Sequence, residues 1–136
     1  MGPVNWIAVI LATLAAGLLA LGWFGPIFGM AKAREVAAGK IAVRRRPERV
    51  VAITGGLLFL SAAMMGHMFA RVGGATLADK PWLYFMMSGG LAGAFVIPAL
   101  LISYSHIQVP TRVALIDAGY WLAAYLAMGG VFWLLG

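Results

Sequence analysis

Four apolar blocks, at positions 4–24, 50–70, 82–104 and 113–135, constrain this chain more than any other feature. Each is about 20 residues long, and at ~1.5 Å of rise per residue such a helix crosses the roughly 30 Å hydrocarbon core of a bilayer. Backbone N–H and C=O groups find no water there, so each block must pair its own backbone groups as a helix. Composition agrees. Of the 136 residues, 63% are hydrophobic and 10% charged, against about a quarter charged in soluble domains, and the mean hydropathy is +0.96. The expected fold is all-α, a single four-transmembrane-helix bundle over residues 1–136.

Proline and glycine punctuate the blocks. Pro3, Pro47, Pro81 and Pro110 stand at helix beginnings, where a missing N–H leaves no bond unmade. Pro26, with Gly25 and Gly29, is expected to end the first helix. Pro98 alone lies inside a block, and should free the Ala94 carbonyl and kink the third helix. Ala31-Lys32-Ala33 fits a small-x-small cleavage pattern. Yet no basic residue precedes the first block, and it exceeds the about 7–15 apolar residues of a signal peptide. It reads as a membrane span.

Charge then sets the orientation. The stretch 31–50 holds Lys32, Arg34, Lys40, Arg44, Arg45, Arg46 and Arg49, seven of the ten basic residues, against Glu35 and Glu48. The positive-inside rule puts this loop in the cytoplasm and both termini on the outer, periplasmic side. Its expected partner is the anionic headgroup layer. The charge is local and flanked by spans, so nucleic acid is not expected. Residues 30–41 contain good helix formers and suit a surface helix. Trp6, Trp82, Tyr84 and Trp133 mark an outer aromatic belt, and Trp23 and Tyr104 an inner one. Trp121 fits neither.

Small residues recur at helical spacing: Ala8, Ala12, Ala16 and Ala20; Ala62, Gly66 and Ala70; Gly89 and Gly93; Gly119, Ala123 and Ala127. Lipid tails give no hydrophobic drive between helices, so close approach across such residues supplies the packing. Asp117 is the only carboxylate in the four blocks. Near the start of the fourth helix it meets the positive end of the helix dipole, and it can accept from Trp121 one turn on or from Tyr104 at matching depth. The competing reading is proton or ion handling. Met64, His67 and Met68 could sketch a soft-metal site, but Met is a common core filler, and His67 can instead bond Ser88 or a backbone carbonyl.

Several chemistries find no residues to carry them. With no Cys there is no thiolate site, and no nucleophile–base pair, hard-metal cluster or phosphate loop is present. Neither an enzyme nor a cofactor is expected. Small four-helix multidrug exporters are similar in size, but they use a glutamate in their first helix, and this first block has no acid.

Three motifs spread along the chain carry a resemblance: Asn5-Trp6-Ile7-Ala8-Val9; Trp23-Phe24-Gly25-Pro26-Ile27-Phe28-Gly29; and Ile116-Asp117-Ala118-Gly119-Tyr120, continued by Met128-Gly129. In these the chain resembles bacterial integral membrane proteins grouped as domain of unknown function 1761. An aromatic expected soon after Gly29 is missing, and residues 105–109 depart from the usual third loop. The resemblance implies four membrane helices and no activity. The expected role is that of a non-catalytic structural or accessory subunit in a bacterial cytoplasmic membrane, packing through Gly/Ala faces against itself or a larger complex. The alternative is a small oligomeric channel or transporter using Asp117 or His67.

Overall fold

The structure, a computed structural model, describes residues 2–42 and 46–136; Arg44 and Arg45 therefore lie outside the described residues. Among those residues every regular element is helical. Four helices are long and apolar enough to cross a membrane: the first span Trp6–Ile27, the second Pro47–Val72, the third Trp82–His106 and the fourth Thr111–Leu135. A loop helix, Gly29–Ala37, follows the first span, and a short helix, Gly74–Asp79, joins the second to the third. Asn5 caps the first span by accepting from the Ala8 N–H at 3.1 Å, which satisfies one of the free donors of that first turn. Pro47 opens the second span with Glu48 beside it, favourable at the positive end of the helix.

Pro26 does not end the first span. The helix widens into a π turn over Trp23–Ile27 and passes through the proline, closed by Phe28 N–H donating to Trp23 O at 2.9 Å. A wider turn absorbs a residue with no N–H and inserts one extra position, which re-aims the side chains around it. The third span does the same just before Pro98. Its π turn, Ala92–Val96, has the Ile97 N–H donating to Ala92 O. The distortion expected from Pro98 takes this form.

The fourth span is the centre of the bundle. It packs on the first and on the third, and the first carries the second on its other side. Burial follows this order, with 39% of the fourth span's most apolar stretch enclosed against 11% for the third. The second and third spans come together at the end holding the short helix, where the Phe69 ring lies 4.8 Å from Tyr84 and 5.2 Å from Phe132. Both termini reach that end. Asn5 Nδ2 donates to Leu135 O at 3.0 Å, and Tyr125 OH reaches Ser61 Oγ at 3.2 Å to tie the fourth span to the second.

The small residues divide between inside and outside. Ala8, Ala12, Ala16, Ala62 and Gly66 are buried, and Ala20 and Ala70 half-buried. A Cβ on Gly66 would stand 3.1 Å from both Val4 and Val9 side chains. Gly119, Ala123 and Ala127 are half-buried, whereas the enclosed row of the fourth span runs through Tyr120, Ala124 and Met128. Gly89 is half-buried against Leu126, but Gly93 points away from the bundle with nothing within 4 Å of its Cβ position.

Candidate functional site

The end that carries the basic loop gathers four elements around one carboxylate. The π turn of the first span presents Trp23 and Phe24, and the loop helix presents Lys32. The last turns of the third span contribute Tyr104, and the start of the fourth span contributes Asp117 and Tyr120. Asp117 is 5% exposed. Tyr104 OH donates to its Oδ2 at 2.6 Å, and Lys32 Nζ lies 2.8 Å from its Oδ1. The Lys32 contact is ionic rather than directional, since Oδ1 accepts no aligned hydrogen bond. The ammonium also sits 4.5 Å from the centre of the Phe24 ring, a cation–π contact.

The aromatic floor of this site explains why the loop helix folds back. Trp23 Nε1 donates to Ile116 O at 3.0 Å, and its ring lies where a Cβ on Gly119 would stand only 3.0 Å away. Phe24 packs on Tyr120 with ring centres 5.0 Å apart, while Tyr120 OH donates to Ala16 O at 3.0 Å. Gly29 begins the loop helix, and a Cβ there would stand 2.9 Å from the Phe24 carbonyl oxygen. Only glycine lets the chain turn this tightly against the span.

Of the residues singled out in the sequence, Tyr104 and Asp117 are brought together. Trp121 instead packs edge-on against Tyr120 and Tyr125, at 5.2 and 6.3 Å. Lys32, assigned by sequence to the headgroup layer with the other basic residues, is drawn onto Asp117. The sequence carries opposite charges in the two segments but no local sign of the fold-back that joins them. Lys40 pairs with Glu35 at 3.3 Å. Arg34, Arg46 and Arg49 are exposed and, among the described residues, have no ion-pair partner.

At the opposite end, Met64 is exposed, Met68 half-buried and Met65 enclosed, so the methionines of this run face different ways. His67 Nδ1 lies 2.8 Å from the Ala63 carbonyl of its own helix, which assigns the proton to Nδ1. The ring stands edge-on to Trp6 at 5.9 Å. Among the described residues no three His, Cys, Asp or Glu side chains gather as a metal site.

The residues that carry the sequence resemblance thus meet in space. The Trp23–Gly29 motif lies on the Ile116–Tyr120 motif, Asn5 bonds the last turn of the fourth span, and Gly129 receives Ser88 and Tyr84. No curated protein and no solved structure matches the chain. A family model described as protein of unknown function (DUF1761) matches residues 7–133, and with nearly its whole length covered the chain belongs to that family.

Proposed function

We propose that this protein is a small, non-catalytic accessory subunit of a bacterial cytoplasmic membrane, with its basic loop in the cytoplasm and both termini outside. The observation that carries this reading is the closure of Asp117. The carboxylate is met from two sides by Tyr104 and Lys32 within one chain, so it serves as a clamp fixing the loop helix to the bundle. A proton or ion path through Asp117 would first have to remove Lys32. The third span, meanwhile, turns Gly90, Gly93 and Ala94 outward, a small-residue face suited to a neighbouring membrane helix.

Native mass spectrometry from mild detergent tests this. The expected result is stoichiometric recovery with a second copy or a larger membrane protein, and its loss in a Gly93→Leu variant that keeps its fold. A protein recovered only as a monomer, unchanged by Gly93→Leu, would reject the accessory role. Topology has its own test: a C-terminal alkaline phosphatase fusion is expected to be active in cells and a C-terminal green fluorescent protein fusion dark. The reverse pattern inverts the orientation.

A further inference from the structure

We propose that a groove beside the clamp binds one anionic phospholipid, its phosphate on Arg112 and the upper part of an acyl chain along Trp23, Phe28, Leu115 and Ile116. The groove has a volume of about 300 Å³ and lies between the π turn of the first span, the loop helix and the first turns of the fourth span; Ala31 completes its lining. That is the lower end of the roughly 300–1,000 Å³ range of ligand pockets. It suits part of an amphiphile whose remainder stays in the bilayer.

The chemistry of the walls selects the occupant. Trp23 and Phe28 pack together at 4.9 Å to form one side. The single N–H of Trp23 is already used on Ile116 O, so the face it offers is apolar. Arg112 is exposed at the mouth and has no ion-pair partner among the described residues. The acids on neighbouring elements cannot neutralise it, because Asp117 is held by Lys32 and Tyr104, and Glu35 by Lys40. Leu115 lies three residues deeper, about 4.5 Å along the helix axis, and is 63% exposed.

A cation at headgroup level above aromatic and aliphatic walls matches the order of groups in a phospholipid. Basic pockets between membrane helices recognise anionic headgroups in this manner. A free anion would gain nothing from the apolar walls. The site depends on membrane insertion alone and not on the accessory role, so the two can fail separately.

The test uses the purified full chain, delipidated in detergent and titrated with phosphatidylglycerol or phosphatidylcholine under native mass spectrometry. One phosphatidylglycerol is expected to be retained in preference to phosphatidylcholine. Arg112→Gln should lower phosphatidylglycerol affinity about tenfold, as loss of a charge-assisted phosphate bond implies. Arg34→Gln removes an exposed charge outside the groove and should change it less than about twofold. Ala31→Trp, which fills the groove, should abolish retention. If it lowers helicity, Leu115→Gln at its exposed position should weaken retention in its place. Equal losses in Arg34→Gln and Arg112→Gln would mean diffuse attraction and overturn the site. So would phosphatidylglycerol binding that none of the groove variants changes.

Discussion

Asp117→Leu is expected to destabilise the bundle by about 2–4 kcal/mol, the range for removing one member of a buried, hydrogen-bonded charge cluster. Leucine leaves Tyr104 OH without its acceptor and Lys32 without its counter-charge. The Lys32 side chain is 31% exposed, so its ammonium can swing toward the headgroups and recover part of the loss. The lower half of the range is therefore the better expectation. Asp117→Asn retains an acceptor for Tyr104 and should cost about 1 kcal/mol. The measurement is unfolding in mixed micelles, followed by helical circular dichroism. A double-mutant cycle with Lys32→Met isolates the ion pair. Leu and Asn variants of equal stability would show that the cluster does not hold the fold. An Asn variant that folds normally but loses a pH-dependent ion flux in proteoliposomes would instead favour transport.

The spans were legible because a bilayer demands length and apolarity, and both are written locally. Span ends were less so. Pro26 reads as a stop, since proline lacks a donor, but a π turn offers a way through that leaves no trace in apolar periodicity. The pairing of Tyr104 with Asp117 was accessible from matching depth on adjacent helices. Lys32 was not, because its position depends on Gly29 approaching the Phe24 carbonyl and on the loop helix turning back over the aromatic floor. Spacing of small residues found Ala8, Ala12 and Ala16, which are buried, but it also picked Gly93, which faces outward. A step of four cannot tell which side of a helix meets a neighbour. That side is set by how the four helices pack, and here the central fourth span decides it.

Gly129 lies off the Gly119, Ala123 and Ala127 step, and the sequence marked it only within Met128-Gly129. Its substitution should nevertheless be among the costliest in the chain. A Cβ at Gly129 would collide with Ser88 Oγ and stand 2.9 Å from Tyr84 O and 3.0 Å from Ser88 Cβ. Ser88 Oγ is held in place by donating to Tyr84 O at 2.8 Å, and Tyr84 O is backbone, so neither yields without moving the third span. Gly129→Ala should gain about 1 kcal/mol of helix propensity and lose more to overpacking, for a net loss of about 1–3 kcal/mol. Adding Ser88→Ala removes the hydroxyl but leaves the carbonyl, so recovery should be partial. Gly56→Ala, exposed within the second span, has open space around it and should show the propensity gain alone. Equal signs for Gly129→Ala and Gly56→Ala in the same unfolding assay would refute this account. The third span buries little surface and meets the fourth at several places, among them Leu126 on Gly89, the Phe85–Trp133 ring pair, the backbone approach at Gly129, and the Tyr104–Asp117 bond about 18 Å from Gly129 along the helix. Sites that far apart should add within about 0.5 kcal/mol. The combined Gly129→Ala and Asp117→Leu variant is then expected to lose the sum of both effects, with the third span the first element to open in hydrogen exchange.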